Sequence, residues 1–345
     1  MRSPRFVVVA LAVIAGLSVP AQAQTALQLQ QQAAQAAGGG VKPFPLHANI
    51  SLTHNVGSGT FVATPFNPTV SSQLTLAPFI AWEGFNISLS QTLGMEWTQS
   101  DSTTYGNQVE MSDIGLRVGY NKFAFADLNL VIIPSVSYQV PISLASRQAG
   151  SLGTPNLGVR AIYSLPDHGF SFYASGSTGF TFLVPALSQR FANQQPKEFE
   201  DDLGNKVTPA SCITRTPAEL LNYACGGLPS AFRWSTGLGG SWTGLDNQLS
   251  LSLDLGYGQG YSVYFSPDDQ FTADRAVPGA GLRQSTSGNL SATYIPTSWF
   301  FLTLGFSSFQ GAFQENGTTP RFPLWDFVSP YNNFSSVYVD TTFSF

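Results

Sequence analysis

The fold is decided by residues 85–98, which read FNISLSQTLGMEWT. Apolar side chains occupy every second position of this stretch, at Phe85, Ile87, Leu89, Leu93, Met95 and Trp97. The residues between them are small or polar, and only Gln91 breaks the alternation. Because successive side chains of a β-strand point to opposite faces, the stretch predicts a strand with one apolar face and one polar face.

The same period of two recurs from about residue 47 to the end of the chain. We predict twelve strands, near residues 47–56, 70–82, 85–98, 110–121, 128–141, 155–165, 170–183, 231–243, 248–259, 285–295, 299–309 and 334–345. The connections alternate between short turns and long loops, the longest at about 184–230. Short turns at one edge and long loops at the other are typical of outer-membrane barrels. The prediction is therefore an all-β fold, a transmembrane antiparallel up-and-down β-barrel of about twelve strands over residues 46–345.

Aromatic residues on the apolar face support this prediction. They fall near the short-turn ends of the strands at Trp82, Tyr120, Tyr163, Trp242 and Tyr294, and near the opposite ends at Trp97, Tyr138, Trp234 and Tyr257. Two such girdles are expected where a barrel meets the two interfaces of a bilayer.

The composition excludes other classes of protein. Charged residues make up 10% of the 345 residues, against about 25% in a typical soluble domain. The net charge of −5 and the lack of a basic run argue against nucleic acid as a partner. No stretch of about 18 apolar residues follows the N-terminus, which argues against a helical membrane protein.

The N-terminus has the pattern of a targeting segment. Arg2 and Arg5 precede a 14-residue apolar run at 6–19, and Ala21-Gln22-Ala23 fits a cleavage site. We predict a signal peptide at 1–23. Residues 24–45 form a Gln/Ala-rich arm with too little apolar pattern for a domain, and it is either a short helix or a flexible segment.

The last predicted strand places Val337, Val339, Thr341, Phe343 and Phe345 on one face. It resembles the C-terminal assembly signal of bacterial outer-membrane β-barrel proteins, which ends on an aromatic residue. The resemblance implies the outer membrane of a Gram-negative bacterium as the location. It also implies outer-membrane lipid, lipopolysaccharide and the barrel-assembly machinery as partners, with Val339, Phe343 and Phe345 in the assembly signal.

A second resemblance concerns possible cargo. Residues 112–120, then 130–134 and the pair Val140-Pro141, resemble the phenol meta-pathway transporter family. Members of that family are thought to be outer-membrane barrels for hydrophobic compounds, so the resemblance implies transport of small hydrophobic or aromatic molecules.

Few charges fall on the polar, lumen-facing positions of the predicted strands. Arg117 and Arg160 lie on the fourth and sixth strands, and Asp254 and Asp340 on the ninth and twelfth. We expect these pairs on broadly opposite walls of a ring roughly 24 Å across, too wide for direct pairing. One hypothesis is a transverse field that favours dipolar or zwitterionic solutes. The alternatives are that these charges pair locally, with Asp113, Glu96 or loop residues, or that they anchor a plug.

The two cysteines, Cys212 and Cys225, both fall in the longest loop. In an oxidising compartment they predict a disulfide bond, which would stabilise the loop by roughly 3 kcal/mol. With no histidine nearby, a metal site is not predicted, and the sequence carries no cofactor motif.

Catalysis is not predicted. The histidines are His47, His54 and His168, and no His-x-Ser pair accompanies them. The function expected from the sequence is a channel or transporter for small molecules through the lumen. The alternatives are a structural or adhesive barrel with recognition by its loops and, third, an outer-membrane hydrolase.

Overall fold

The computed structural model describes residues 46–57, 70–98, 107–143, 146–147, 150–183, 199–200, 206–207, 230–262, 282–313, 319–324 and 335–345. Twelve long strands form its wall: β1 Leu46–Gly57, β2 Val70–Trp82, β3 Phe85–Glu96, β4 Gln108–Met111 continued by Ile114–Tyr120, β5 Leu130–Val140, β6 Ser151–Leu165, β7 Phe170–Phe180, β8 Ser230–Gly244, β9 Leu249–Ser262, β10 Leu282–Thr297, β11 Phe300–Gly311 and β12 Ser336–Ser344. Short strands also occur at Phe123–Phe125, Phe182–Leu183, Phe199–Glu200 and Lys206–Val207. No helix of these residues is long and apolar enough to cross a membrane.

Each long strand pairs antiparallel with its neighbours in chain order, and the last closes on the first. Val339 of β12 lies opposite His54 of β1, and the backbones of Ala48 and Phe345 exchange two hydrogen bonds of 2.9 and 3.1 Å. Closure leaves no unpaired strand edge in the wall. The predicted twelve-strand up-and-down barrel is confirmed, with strand ends that shift by a few residues.

The two faces of the wall have opposite chemistry. Leucines on the outer face are exposed, such as Leu251 and Leu304, whereas Thr303 and Ser250 on the inner face are 1% and 2% exposed. Outer-face aromatics near the two ends of the wall are exposed too, with Trp82 at 60% and Trp97 at 49%. A soluble protein would bury its apolar face, so the pattern fits a wall surrounded by lipid.

The short turns lie together at one end of the barrel, which we call the short-turn end. Glu83 and Gly84 join β2 to β3 with φ angles of 47° and 91°, as expected for a two-residue hairpin turn. A single 3-10 turn, Pro166–His168, joins β6 to β7 and ends on Gly169 with φ 68°. The opposite end is the long-loop end.

One bulge interrupts the wall, between the two segments of β4. Leu93 of β3 pairs with Met111, but Ser90 pairs with Gly115, so β4 contains one extra residue at 112–113. The carbonyl oxygen of Ser112 accepts a 2.8 Å hydrogen bond from the side-chain amide of Gln91. Gln91 therefore breaks the apolar alternation of β3 because the neighbouring bulge needs a donor.

A short segment covers the outer face of β10 and β11 near the long-loop end. We call residues 319–324 the outer strap. Ser308 and Gln310 share the face of the exposed Leu304, yet both are buried beneath it. The Ser308 hydroxyl donates to the carbonyls of Pro323 and Leu324 at 2.5 and 3.0 Å, and the Gln310 amide donates to that of Leu324 at 3.0 Å. The outer strap thus shields the polar side chains of Ser308 and Gln310 on the otherwise apolar outer face of the barrel.

Candidate functional site: the barrel lumen

The predicted lumen residues lie on inward positions of the wall. Arg117 of β4 lies opposite Ser88 and Ser137, and Arg160 of β6 lies opposite Ser175. Asp254 lies on β9, Asp340 on β12, Glu96 at the end of β3 and Asp113 in the β4 bulge. The inward register therefore places all six in the interior, at different heights and on different sides.

A chain of contacts crosses the lumen wall near its middle. The Arg160 guanidinium lies 4.6 Å from the centre of the Tyr173 ring, and the Tyr173 hydroxyl donates to Asp254 Oδ1. The Asn289 amide donates to Asp254 Oδ2 at 3.3 Å, and the Tyr338 hydroxyl donates to Asn289 Oδ1 at 2.8 Å. We call these five residues the tyrosine belt. It runs from β6 to β12 and joins cationic, aromatic and anionic groups in one network.

Two glycines make the belt possible. The Tyr173 ring lies over Gly239 of β8, where an added Cβ would come within 2.5 Å of Tyr173 Cζ and 2.6 Å of Asp254 Oδ1. Tyr338 lies over Gly305 of β11 in the same way, with Cε1 at 2.5 Å. Each tyrosine can therefore cross a whole strand and bond to the next one only because that strand carries no side chain.

The belt changes the expected arrangement of charges. Arg160 and Asp254 lie three strands apart, a quarter of a twelve-strand ring, and Tyr173 joins them. The sequence predicts the two arginines and the two acids on broadly opposite walls; within that arrangement, Arg160 and Asp254 are closer together, because only three strands separate β6 from β9. Sequence reasoning missed both tyrosines and Asn289 because it followed charged residues alone. An inward tyrosine next to an inward glycine on the adjacent strand is a pattern that would have found them.

Asp340 bonds locally, at the seam where the barrel closes. Its Oδ2 accepts a 2.6 Å hydrogen bond from the Thr53 hydroxyl of β1, and its Oδ1 accepts one of 2.6 Å from Thr342. Its side chain is buried. The carboxylate therefore links the first and last strands through threonine hydroxyls of the wall.

A second polar cluster lies at the long-loop end of the lumen. Asp113 accepts hydrogen bonds from the Ser143 backbone amide at 2.9 Å and from the Ser146 hydroxyl at 2.5 Å. Nearby, the Arg233 guanidinium of β8 donates to the Gln139 side chain of β5 at 3.0 Å. Asp113 thus holds the chain that leaves β5, and this mouth cluster lies above the tyrosine belt.

Several large apolar side chains lie on inward positions near the short-turn end of the lumen, beside hydroxyl groups such as those of Ser250 and Thr293. Ile133 of β5, Ile162 of β6 and Phe301 of β11 point inward and are 7%, 5% and 5% exposed. His47 and Phe79 also point inward, with stacked rings 5.0 Å apart. We call these five residues the apolar ring. The apolar ring adjoins the tyrosine belt, since Ile133 pairs directly with Arg160.

His54 lies on the outer face instead of in the lumen. Its Nδ1 lies 2.8 Å from Ser72 Oγ, which also accepts a 2.8 Å hydrogen bond from the Trp97 indole. The sequence contains no His-x-Ser pair, but pairing of β1 with β2 brings a serine beside this histidine. An exposed aromatic and polar cluster of this kind suits the boundary between apolar lipid and headgroups.

Several predicted features fall elsewhere. Cys212 and Cys225, the long loop around them and residues 1–45 lie outside the described residues, so the disulfide, the signal peptide and the arm stay predictions.

Val339 and Phe345, two residues of the predicted assembly signal, are exposed on the outer face. The ring of the third, Phe343, stacks on that of Trp299 with 6.2 Å between the ring centres. Among the described residues, no group of three or more His, Cys, Asp or Glu side chains could hold a metal ion.

Comparisons with known proteins establish the fold. No family model matches the chain, and no curated protein matches its sequence. The COG4313 outer membrane channel from Pseudomonas putida F1 is similar over 89% of this chain and 97% of its own, with a TM-score of 0.51 and 9% identity. The KdgM porin covers 86% and 99% with a TM-score of 0.43 and 9% identity, and outer membrane phospholipase A from Escherichia coli covers 90% and 96% with 0.36 and 14%. The first of these likenesses shows that the chain shares the fold of outer-membrane β-barrels.

Proposed function

We propose that this protein is an outer-membrane channel through which small molecules cross the barrel lumen, and we assign it no catalytic role. The observation that carries the proposal is the closed twelve-strand wall with an apolar outer face and a polar inner face. The apolar side chains of the outer face suit contact with lipid. The charged and hydroxyl groups of the inner face suit contact with water and polar solutes. Outer-membrane lipid, lipopolysaccharide and the barrel-assembly machinery are the partners that this location requires.

For the cargo, we propose small hydrophobic or aromatic compounds. The resemblance of residues 112–120, 130–134 and 140–141 to the phenol meta-pathway transporters supports this class. The Tyr173 and Tyr338 rings of the belt support it as well, because aromatic side chains with a polar edge suit ligands of mixed character.

The experiment is conductance in planar lipid bilayers, with swelling of protein-loaded liposomes as a second measurement. A folded barrel should open ion-conducting steps and should let phenol-sized solutes into the liposomes. The same protein unfolded by boiling is the control, since it keeps the composition and loses the wall. A folded, inserted barrel that conducts no ions and passes no solute would contradict the channel.

A structural or adhesive barrel is the second candidate. The burial of Ile133, Ile162 and Phe301 favours it, because side chains that face an open aqueous path would keep more of their surface accessible. Such a barrel would insert and fold normally but would stay closed in both measurements.

A further inference from the structure

Two arginines occupy neighbouring inward positions on one side of the lumen mouth. Arg233 of β8 and Arg283 of β10 both pair with Gly260 of β9, so only a residue without a side chain stands between them. Arg233 is half-buried and Arg283 is exposed. Two acids of the mouth, Glu96 and Glu110, lie on β3 and β4, at least four strands away from β8. The β8–β10 side of the mouth therefore carries positive charge.

The Arg233 side chain reaches across the mouth instead of lying along its own strand. Its Nη2 donates a 3.0 Å hydrogen bond to Oε1 of Gln139, which lies on β5, three strands from β8. The direct neighbour of Arg233 on that side is Gly179 of β7. Because this neighbour has no side chain, the guanidinium can extend over it into the mouth.

One edge of the Arg233 guanidinium is only half satisfied. On this edge the N–H groups of Nε and Nη2 point in the same direction. Nη2 bonds to the amide oxygen of Gln139, whereas Nε is buried and has no hydrogen-bond partner among the described residues. An amide offers this edge a single oxygen, but a carboxylate offers two that match both donors. The edge therefore suits a carboxylate better than it suits the glutamine.

The acid of the mouth cluster, Asp113, is held by other donors. Its Oδ1 accepts a 2.9 Å hydrogen bond from the Ser143 backbone amide, and its Oδ2 accepts one of 2.5 Å from the Ser146 hydroxyl. Both oxygens are thus engaged by the chain that leaves β5, while the hydrogen bond of Arg233 goes to a neutral side chain. The positive charge of Arg233 can therefore attract an anion that enters from the long-loop end.

An aromatic ring is exposed on the same side of the lumen. Phe309 lies two residues before the end of β11 at Gly311, on an inward position opposite Ser287 of β10, and it is 44% exposed. An exposed ring on a wall rich in hydroxyl groups suits contact with an aromatic ligand. The mouth thus offers separate surfaces for a carboxylate and for an aromatic ring.

We propose that the edge formed by Nε and Nη2 of Arg233 binds the carboxylate group of small aromatic acids, with Gln139 displaced from the edge when the ligand is bound. We call this edge the carboxylate site. The inference rests on the proposed function, because it narrows the cargo from aromatic compounds in general to aromatic carboxylates. Arg283 increases the local positive charge and so attracts the anion toward the carboxylate site.

Fluorine NMR titration of the folded barrel in neutral detergent tests the carboxylate site, with para-fluorobenzoate as the anionic probe and para-fluorobenzamide as the neutral one. The benzoate should bind about tenfold more tightly than the benzamide, and Arg233→Gln should remove this difference. Arg233→Lys should also lose most of the affinity, because an ammonium group cannot form the paired hydrogen bonds. Arg147→Gln is the matched control, since it removes an exposed arginine at the long-loop end.

Gln139→Ala separates ligand binding from a purely structural role of Arg233. Removal of the amide that occupies Nη2 should strengthen the binding of para-fluorobenzoate several-fold, although it removes a hydrogen bond from the folded barrel. Weaker binding in Gln139→Ala would contradict the displacement of the glutamine. Equal affinity of the wild-type barrel for the two probes, or unchanged benzoate affinity in Arg233→Gln, would overturn the carboxylate site. Heat-modifiable mobility checks that each variant is folded.

Liposome swelling separates this proposal from the proposed channel. If para-fluorobenzoate binds selectively but the liposomes admit no solute, the carboxylate site stands and the channel fails. If phenol-sized solutes enter the liposomes but the two probes bind equally, the channel stands and the carboxylate site fails.

Discussion

At the scale of single residues, the lumen depends on positions without side chains. Gly239 lets the Tyr173 ring reach Asp254, and Gly305 lets Tyr338 reach Asn289. The rings lie on the glycines so closely that one added carbon would have to displace them. Glycine is usually costly in a strand because it loses backbone entropy on folding, but here it makes a polar network possible.

Gly239→Ala should therefore destabilise the barrel by about 1–3 kcal/mol, because the new methyl group overlaps Tyr173 and Asp254. The free energy of unfolding can be measured by urea titration of the barrel in detergent. Gly94→Ala is the matched control, since the nearest atoms to its added Cβ are 4.0 Å away. Equal stability of the two variants would mean that the tyrosine is not held against Gly239.

At the scale of elements, the alternation of apolar and polar residues was enough to predict the twelve strands, because lipid and lumen impose opposite demands on alternate side chains. The bulge in β4 was not predicted. It inserts one residue at 112–113, and the sequence shows it only indirectly, through Gln91 on the neighbouring strand. Belt contacts such as Tyr173 to Asp254 link strands that do not pair with each other, so no pattern along a single strand contains them.

Gln91→Leu tests the pairing of β3 with the bulge. Leucine restores the apolar alternation, but it leaves the Ser112 carbonyl without the amide of residue 91. A part-buried acceptor that loses its donor costs up to about 1–3 kcal/mol, so the variant should lose stability to urea although leucine fits the apolar alternation better. Leu93→Met on the same face of β3 is the control and should have little effect. A more stable Gln91→Leu barrel would show that the amide has no role in holding the bulge.

At the scale of the whole molecule, the lumen charges are distributed unevenly. Asp254 and Asp340 each accept two side-chain hydrogen bonds from the wall. Arg117 and Arg160 lie on β4 and β6, on the other side of the ring from Asp340. A field between the arginines and the acids stays a prediction, with its cationic part on β4 and β6.

Replacing both arginines, Arg117→Ala with Arg160→Ala, should change the single-channel conductance and shift the reversal potential in a salt gradient toward cations, because fixed positive charge attracts anions into a narrow path. Lys122→Ala is the control, since this exposed lysine lies against Gly84 in the β2–β3 turn, at the short-turn end. No change in either quantity would refute a role of the field in permeation.

The C-terminus should govern assembly of the barrel. Phe345 exchanges two backbone hydrogen bonds with Ala48 of β1, and its ring is exposed on the outer face. Phe345→Ala keeps the backbone pairing and removes the ring, so it should lower the amount of folded barrel in the outer membrane several-fold while the purified protein still refolds in detergent. Ser344→Ala is a control of similar position. Normal membrane levels of Phe345→Ala would show that the terminal ring is not read during assembly.

The tyrosine and glycine pairs of the lumen also constrain how the sequence can change in evolution. A glycine under a flat ring cannot be replaced while the ring stays, and a smaller side chain at the tyrosine position frees the glycine to change. In an alignment of homologues, positions 173 and 239 should therefore covary, as should positions 305 and 338. Such paired substitutions would identify barrels with this lumen even where overall sequence identity has fallen to the level of chance.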